Sequence, residues 1–428
     1  MHKASFEPVD VAIVGAGIMG CATAWHLATH GIKVAVFERS EIASEQSSRA
    51  WGFIRQQGRH EAEVPLASEA NRLWVEITSR YGEASTGFTP GGILVPAETA
   101  DDEGRIADAF AVAQRLGLAT RLLGKSEIRD LIPRLAGDWR SGLYTSGDAH
   151  GEPALSTRTI ARAAREAGVL IIEKCPVLAV ETQGGRIAGI ATASGSCAAP
   201  VVVLAGGIGT AALAKPLGID LPIQVIRSSV AQTAAVAPFT QVAMWGPKVA
   251  FRPRADGSFV IGNGYRGAGP DYDLTIDSLN HLRHFLPAYR RNWRLLRLRL
   301  GSESFHRLRA RFGGGPLPEP RVNHKKIAQN SAAFRALFPH VGMLDLARTW
   351  AGRIDLTPDV IPIIDQPGAV PGLFVAAGFS GHGFALGPSV GKQLAEWIVA
   401  GRPSLDLSPF RLSRFDERGA SDVVPKAL

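Results

Sequence analysis

The chain has 428 residues, of which 46% are hydrophobic and 20% charged, and its formal net charge is +8. This composition is that of a globular protein large enough for two or three domains, and it excludes a disordered or fibrous chain. The cysteines Cys21, Cys175 and Cys197 form no CxxC pair, so we expect neither disulfides nor a metal site. No apolar run approaches the roughly 20 residues that span a bilayer, and residues 1–10 are too short for a signal peptide, so we expect a cytoplasmic protein.

A strand–turn–helix–strand unit at residues 11–38 carries the strongest functional signal in the chain. Gly15 permits a tight turn after the first strand, Gly17 lets the backbone approach a pyrophosphate, and Gly20 lets the helix pack closely on the strand. The unit predicts dinucleotide binding at the helix N-terminus; the alternative is a glycine-rich turn without a ligand. The residues expected to contact the cofactor here are Gly15, Ala16, Gly17, Ile18, Met19 and Gly20.

An acidic residue follows the second strand of this unit. Glu38 lies where a carboxylate accepts hydrogen bonds from the adenosine ribose, and its charge disfavours the 2′-phosphate of NADP. The neighbouring Arg39 weakens that argument, because a guanidinium is able to turn toward a phosphate. We expect both residues to contact the cofactor.

Farther along the chain, segments of α/β pattern alternate with segments of another kind, and no linker separates them. We therefore expect an α/β fold in which two domains are interleaved, with the chain crossing between them several times. The expected cofactor-binding domain comprises 8–84, 148–220 and 336–412; the substrate-binding domain comprises 85–147 and 221–335; the tail is 413–428.

Eight arginines fall between Arg290 and Arg311, together with a candidate apolar stripe at Trp293, Leu296 and Leu300. Such a segment is typical of an anionic-lipid surface, of a docking surface for a partner subunit, or of a field that attracts the substrate. We favour the alternative of a solvated basic helix pair on the protein's own sheet, because Gly301 and Ser302 interrupt the run. No recognition motif accompanies the charge, so we do not expect nucleic-acid binding.

Two further segments point to a flavin rather than to a nicotinamide cofactor. The polar loop Ser47-Ser48-Arg49 follows soon after Glu38, and its hydroxyls and guanidinium are suited to phosphate oxygens. Near the end of the chain, an apolar strand runs into a glycine-rich loop at 378–383 and then into a helix. The N-terminus of that helix would direct its positive dipole end at the flavin edge that becomes negative on reduction.

With these segments in this order, the chain resembles the D-amino-acid-oxidase-like family of FAD-dependent oxidoreductases, which includes glycine oxidase and sarcosine oxidase. The resemblance covers nearly the whole chain and is also carried by 148–153, 202–206 and the WAGRIDLTPD segment at 350–359. It implies a GR2-type FAD-binding domain and a substrate domain built on a mixed β-sheet. Further FAD contacts that it implies are Ser47, Ser48, Arg49, Gly52, Val177, Ala205, Gly206, Gly352, Gly378, Ser380, Gly381, His382, Gly383 and Phe384.

The resemblance also implies an activity: oxidation of the C–N bond of an amino acid or secondary amine by hydride transfer to flavin N5. Two residues depart from the family pattern for anchoring a substrate carboxylate. The glycine-oxidase-like arginine position holds Ile354, with the arginine one residue earlier at Arg353, and the sarcosine-oxidase-like lysine position holds Ala385. The candidate catalytic or anchoring residues are therefore Arg55, Arg252, Arg353 and His382, and for each a purely structural role is the alternative.

Two other positions bear on the cofactor and on the electron acceptor. No Cys or His lies next to Gly352 or Trp51, where some relatives link their flavin, so we expect noncovalent FAD. Val260 occupies the position of an oxygen-activating lysine, which favours a dehydrogenase over an oxidase. The acceptor is then a quinone, a partner protein or oxygen, and the basic segment would hold the protein at the inner face of a membrane.

Two other functions stay open at this stage. The chain is also interpretable as the flavoprotein subunit of a hetero-oligomeric opine, proline or hydroxyproline dehydrogenase, in which the basic segment docks a partner. An alternative of another class is an NAD-only reductase or a nucleotide-binding protein without catalysis.

Overall fold

The computed structural model describes residues 5–275, 278, 281–298 and 318–417. Its strands, in chain order, are β1 Val11–Val14, β2 Val34–Phe37, β3 Phe53–Ile54, β4 Ile93–Ala97, β5 Thr120–Leu123, β6 Ser141–Thr145, β7 Ala149–His150, β8 Leu170–Ile172, β9 Val177–Gln183, β10 Arg186–Thr192, β11 Gly195–Ala198, β12 Val201–Leu204, β13 Gln224–Thr233, β14 Ala243–Trp245, β15 Val249–Pro253, β16 Phe259–Asn263, β17 Asp271–Leu274, β18 Leu296–Leu298, β19 Leu346–Leu356, β20 Ile363–Asp365 and β21 Leu373–Ala377.

The α-helices of the described residues range from single turns to five turns. They are α1 Ile18–Thr29, α2 Gln46–Arg49, α3 Val64–Tyr81, α4 Glu83–Thr86, α5 Ala100–Arg115, α6 Lys125–Leu131, α7 Pro153–Glu166, α8 Thr210–Ala214, α9 Leu282–Arg291, α10 His324–Leu337, α11 Gly383–Ala400 and α12 Arg414–Glu417.

The first sheet, which we call the nucleotide sheet, has the order β20-β21-β12-β1-β2-β8. All its neighbours are parallel except β20, which is antiparallel to β21. Its strands are buried almost throughout, as expected of a parallel sheet covered on both faces. The carboxyl ends of β1, β12 and β21 therefore meet at one edge, where ligands bind in open α/β sheets.

Helices α1 and α11 pack against each other over this sheet because glycines remove the side chains between them. A Cβ on Gly387 would lie 2.3 Å from Cγ1 of Ile18, and one on Gly391 would lie 2.6 Å from the carbonyl carbon of Ala22. This close approach sets the N-termini of the two helices side by side at the carboxyl edge of the nucleotide sheet.

The second sheet, which we call the large sheet, is mixed and has the order β18-β17-β13-β16-β15-β14-β4-β6-β5, with β19 also paired to β13. Most of its strands come from the two segments expected to form the substrate domain. The exception is β19, which pairs antiparallel with the full length of β13. Residues 346–356 therefore belong to the large sheet by hydrogen bonding, whereas the expected boundary at 336 assigned them to the cofactor domain.

Two helices begin with recognisable capping features. Helix α3 is preceded by a 3₁₀ turn at Glu61–Glu63, and α5 begins at a capping box between Thr99 and Asp102. Of the basic segment, residues 290–298 are described as the end of α9, a 3₁₀ turn and β18, and residues 299–311 lie outside the described residues. Among the residues described, no helix has the length and apolar character of a membrane span.

Candidate active site

A cavity of about 1010 Å³ lies between the two sheets, at the carboxyl edge of the nucleotide sheet. This is at the upper end of the range of small-molecule sites, about 300–1,000 Å³. Most of the residues expected to bind the cofactor line it: Gly15, Gly17, Ile18, Met19, Glu38, Arg39, Ser47, Arg49, Gly52, Val177, Ala205, Gly206, Gly352, Ser380, Gly381, His382, Gly383 and Phe384. Ala16, Gly20, Ser48 and Gly378 lie behind this lining.

The first glycine turn is shaped by backbone contacts that exclude larger residues. Gly15 has a φ of +102°, and a Cβ there would lie 2.6 Å from the carbonyl oxygen of Ala205. A Cβ on Gly20 would lie 1.9 Å from the carbonyl oxygen of Gly15, so this glycine lets α1 rest on the turn. Gly17 precedes α1, whose first turn holds no acidic residue, and the helix therefore presents its positive end to the cavity.

Glu38 shapes this turn in addition to facing the cavity. One carboxylate oxygen accepts the Ala16 N–H at 2.8 Å, and the other accepts the Ser40 N–H at 2.9 Å. Burial raises the pKa of this carboxyl, and the two backbone donors oppose that shift. Each oxygen keeps a second lone pair, so the expected ribose contact is compatible with this geometry. Arg39 is ion-paired with Glu45 at 3.0 Å.

The polar loop after Glu38 connects the cavity wall to both sheets. Ser47 Oγ accepts the Ile18 N–H at 2.9 Å, so this serine caps α1. The adjacent Gln46 donates to Asp355 Oδ1 at 2.7 Å, and Asp355 Oδ2 accepts the Gly378 N–H at 2.8 Å. Gln46 and Asp355 therefore fasten the loop, strand β19 and the second glycine turn together.

Arg49, which lines the cavity, also forms contacts with the large sheet. Its guanidinium forms a two-point ion pair with Glu319, with both N–O distances 2.7 Å, and it also donates to the Ala351 carbonyl. A Cβ on Gly352 would lie 3.1 Å from Cβ of Arg49, which makes this glycine a packing requirement. Arg49 thus holds the loop against the large sheet.

Arg252, one of the candidate catalytic residues, is 2% exposed and does not line the cavity. Its Nε donates to the Trp51 carbonyl, and its Nη1 pairs at 2.8 Å with Glu152, a carboxylate that also binds Arg254. These bonds hold the turn at Gly52, where the φ is +94°.

The second glycine turn ends at α11 and closes the cavity from the other side. Ser380 has a φ of +52°, an uncommon conformation for a residue other than glycine, and the Asp355 carbonyl accepts its N–H at 2.9 Å. His382 precedes α11, whose first turn contains no acidic residue. Two helix N-termini therefore face one cavity.

Two arginines in the cavity wall, Arg55 and Arg59, have N–H donors without a hydrogen-bond partner among the described residues. Arg55 stacks on Trp245, with its guanidinium carbon 3.8 Å from the ring centroid, and Arg59 Nε donates to the Arg55 carbonyl. The Nη1 atoms of Arg55 and Arg59 are both buried, and neither has a hydrogen-bond partner among the described residues. Burial and, after it, the neighbouring charge of Arg59 lower the pKa of Arg55 to about 9. An anion entering the cavity would relieve both effects.

His382 is fixed by a buried carboxylate. Its Nδ1 lies 2.9 Å from Oε1 of Glu63, which is 1% exposed. Burial lowers the pKa of His382 to about 4, with a further contribution from Arg59, so the imidazole is neutral at neutral pH. Burial raises the pKa of Glu63, but the contact with His382 and the nearby charge of Arg59 together outweigh it, so the pKa is lowered overall. Glu63 is therefore ionised and accepts a hydrogen bond from the N–H at Nδ1 of His382, which leaves Nε2 as an acceptor.

The remaining candidates fall on either side of the cavity boundary. Arg353 lines the cavity from β19, but its Nη2 donates to the Pro318 carbonyl. Ile354, at the position where the resemblance implies an arginine, also lines the cavity. Ala385, in the first turn of α11, is buried and does not line the cavity.

The residues present fit FAD. Two helix N-termini without acidic first turns suit a pyrophosphate and a flavin edge, and Glu38 suits a ribose. The glycine turns form a cradle that side chains would fill. None of the three cysteines, all buried and unpaired, lines the cavity.

Sequence reasoning missed several residues of this site. Arg59 and Glu63 follow Arg55 at spacings of four and eight, but only the fold turns them toward His382, more than 300 residues away. Asp355 lies in the WAGRIDLTPD segment and Gln46 lies directly before Ser47 and Ser48, but sequence analysis assigned neither residue a role. Both could have been found only from their position beside a recognised motif. That position alone does not distinguish a functional side chain from a neighbouring one.

The fold and cavity define a flavin-dependent oxidoreductase, and comparison with known proteins agrees. Residues 10–397 match the family model described as "FAD dependent oxidoreductase" (DAO), and the chain belongs to this family. It is thus an FAD-dependent amine or amino-acid oxidoreductase.

Individual relatives are distant. The human mitochondrial sarcosine dehydrogenase is 24% identical over 416 residues, which are 95% of this chain but 41% of that protein. The sarcosine oxidase subunit beta of Rhodobacter capsulatus is 27% identical over 427 residues, covering 97% of this chain and 91% of that protein. The solved structure of an L-amino acid deaminase from Proteus myxofaciens in complex with anthranilate has a TM-score of 0.88, with 24% identity over 95% of this chain and 94% of that one.

Proposed function

We propose that the protein oxidises the C–N bond of an amino acid or secondary amine that carries a carboxylate, and that it binds FAD noncovalently. The bound FAD would supply the hydride acceptor at flavin N5. The observation that carries the proposal is the pair of unpartnered Nη1 atoms of Arg55 and Arg59 in the wall of the cavity that holds the cofactor residues.

The two guanidiniums anchor the carboxylate of the substrate. A buried donor without a partner carries an unfavourable free energy of about 1–3 kcal/mol, more for charged groups, which a carboxylate removes when it binds. Trp245 holds the Arg55 guanidinium against its ring face, so little side-chain entropy is lost on binding. These arginines replace the anchors that are absent at Ile354 and Ala385.

The substrate amine reacts in its neutral form, because loss of a hydride from the carbon beside nitrogen needs an unprotonated amine, and it releases its proton to solvent before it binds. Burial lowers the pKa of His382 to about 4, so the imidazole is too weak a base to take the proton of an ammonium group. The tautomer of His382 is set by Glu63, and its acceptor nitrogen Nε2 is not used by that contact. In this proposal His382 accepts a hydrogen bond from the neutral amine and orients it, and Glu63 positions the imidazole.

Spectroscopy tests the cofactor and the reaction class. We expect the purified protein to be yellow, and its absorption band near about 450 nm to bleach when amino acids or N-alkyl amino acids are added without oxygen. We use anthranilate, present in the complex of the Proteus deaminase, as a carboxylate probe of the same cavity. A colourless protein that takes up no FAD would favour an NAD-only or non-catalytic nucleotide-binding protein.

We further propose a dehydrogenase rather than an oxidase, because the apolar Val260 occupies the position where the family resemblance implies an oxygen-activating lysine. The acceptor would be a quinone or a partner protein. The test compares turnover in air with turnover in the presence of a dye acceptor. Turnover in air as fast as with dye would overturn this part.

A second candidate function is the flavoprotein subunit of a hetero-oligomeric opine, proline or hydroxyproline dehydrogenase. Two observations favour it: a relative that is itself a subunit, and an exposed face at 282–298. That face combines Leu286 (37% exposed) and Trp293 (63% exposed) with arginines, a composition typical of interfaces. Co-expression with neighbouring gene products, followed by size-exclusion chromatography, tests it.

The unpaired cysteines support our proposal of a cytoplasmic location.

A further inference from the structure

A buried carboxyl group lies behind the two anchoring arginines, and the reaction outlined above gives it no task. The ribbon of β3 and β7 pairs in a register that places Asp148 opposite Arg55, one step beyond the last hydrogen-bonded pair. The Gln56 N–H donates to Asp148 Oδ1 at 2.7 Å, and Asp148 is fully buried. Asp148 Oδ2 is buried and has no hydrogen-bond partner among the described residues.

The net charge of the cluster formed by the two arginines, Glu63, His382 and Asp148 depends on whether Asp148 is protonated. Arg55 and Arg59 carry two positive charges, Glu63 carries one negative charge, and His382 is neutral. When Asp148 is ionised the cluster is neutral overall, and when Asp148 is protonated it carries one positive charge. Only the protonated state leaves a full positive charge for an entering carboxylate.

We propose that the cavity takes up an anionic substrate together with one proton, and that Asp148 holds this proton. The inference rests on the proposed function, since the anion is the carboxylate anchored by Arg55 and Arg59. A second negative charge beside a buried carboxylate favours its protonated form, and by reciprocity the protonated form binds the anion more tightly.

The other ionisable groups around Asp148 titrate outside the range in which it acts. Burial raises the pKa of Asp148 to about 7, against the opposing influence of the Gln56 N–H and of Arg55. Tyr144, also near Asp148, has a raised pKa, Arg55 stays near 9 and His382 near 4. Burial also lowers the pKa of Arg59. Between pH 5.5 and 8.0, at least one pH unit below the pKa of Arg55, the charge of this cluster changes mainly at Asp148.

The test uses the full chain loaded with FAD, with anthranilate as the probe and the flavin spectrum as the signal. We expect the Kd to rise about tenfold between pH 5.5 and 8.0, because each pH unit above the pKa weakens proton-linked binding up to tenfold. Calorimetry at pH 8 in two buffers of different ionisation enthalpy should report an uptake approaching one proton. The neutral amide of the same probe, anthranilamide, should bind without proton uptake.

Two variants separate Asp148 from other causes. Asp148→Asn should abolish the pH dependence and bind anthranilate at pH 8.0 as tightly as at 5.5. His60→Asn, which removes a nearby imidazole but keeps a side-chain acceptor for the Ala62 N–H, should keep the dependence unchanged. A pH-independent Kd in the unaltered protein, or a dependence retained in Asp148→Asn, would overturn the inference.

Two outcomes remain decisive if a variant misbehaves. If Asp148→Asn fails to load FAD, the calorimetry of the unaltered protein and the amide comparison decide the matter alone. A protein that binds FAD and is reduced by amino acids, but takes up anthranilate without a proton, contradicts this inference and leaves the proposed function standing. A protein that binds no FAD contradicts the proposed function instead.

Discussion

The cavity has two halves, one lined mainly by backbone groups and the other by side chains. The cofactor half consists mainly of backbone: glycine turns at 15–20 and 378–383, two helix N-termini, and side chains such as Ser47 and Asp355 that fix backbone amides. The substrate half consists of ionisable side chains, the charged Arg55 and Arg59 and the neutral His382, held by a backbone carbonyl and by the buried carboxylate of Glu63. Substitutions that add bulk should therefore disrupt the cofactor half, whereas substitutions that remove charge should weaken substrate binding in the other half.

The largest effect should come from the backbone half. In Gly20→Val, a Cβ placed 1.9 Å from the Gly15 carbonyl oxygen would force α1 away from the glycine turn, so we expect complete loss of bound FAD. Flavin content per chain after purification measures this.

A glycine in open space is the matched control for that substitution. Gly104 lies inside α5, and nothing lies within 4 Å of a Cβ built there. Gly104→Ala should keep full FAD content and stabilise the protein by about 0.5–1 kcal/mol. Normal FAD content in Gly20→Val would contradict the account of the turn.

The second effect belongs to the charged half. Arg59→Met should lower kcat/KM for a carboxylate-bearing substrate about 30-fold or more, since removing one partner of a buried charge pair costs about 2–5 kcal/mol. The FAD content should stay unchanged. The exposed Arg115, 55% accessible at its side chain, provides the control, and Arg115→Met should leave kcat/KM unaltered. Equal losses in both variants would remove Arg59 from the anchor.

A smaller effect is expected from Trp245, the aromatic residue that holds Arg55. Trp245→Leu removes the ring face on which the Arg55 guanidinium lies at 3.8 Å, and KM should rise about 5- to 30-fold through the loss of about 1–2 kcal/mol. The maximal rate of flavin reduction should change little, because Trp245 orients an anchor and not the reacting atoms. A loss confined to that rate would contradict this division of roles.

The smallest effect concerns stability against acid. Burial lowers the pKa of His26, His150 and His382 to about 4 each. The unfolded chain binds these protons from pH 6.5 downward and the folded chain only near pH 4, so stability is lost as the pH falls between those values. Asp148 acts in the opposite sense, because its pKa is raised to about 7.

Thermal melting of the FAD-loaded protein between pH 7 and 5 measures the balance of these groups. We expect a melting temperature that falls with pH, and a shallower fall in His26→Gln, whose imidazole lies away from the cavity. A melting temperature that falls as steeply in His26→Gln as in the unaltered protein would contradict a neutral His26 in the folded state.

The two halves also differ in how far the sequence predicts them. Gly15, Gly17, Gly20 and Glu38 have fixed spacings set by one local unit, so the nucleotide turn follows from the chain directly. Arg55 was recognised by its place after the cofactor loop, but the partners that define its environment come from β7 and β14. Arg252 stood in an equally suggestive segment, and only the fold shows that Glu152 and the Trp51 carbonyl bind its guanidinium.

The domain boundary shows the same limit. The segment around 350–359 follows a family motif, and its glycine does line the cofactor cavity, yet β19 pairs along the whole of β13. Long-range strand pairing of this kind depends on residues more than 100 positions away, and local pattern carries no trace of it.

The central claim is that one cavity holds FAD beside an anchor for a carboxylate. Anaerobic reduction of the bound flavin by matched pairs of amines, each amino acid against the same amine without its carboxyl group, tests it most directly. We predict bleaching near about 450 nm by at least one carboxylate-bearing member and at least about 30-fold slower bleaching by its partner. Equal rates for both members of every reactive pair, or a protein without flavin, would contradict the account.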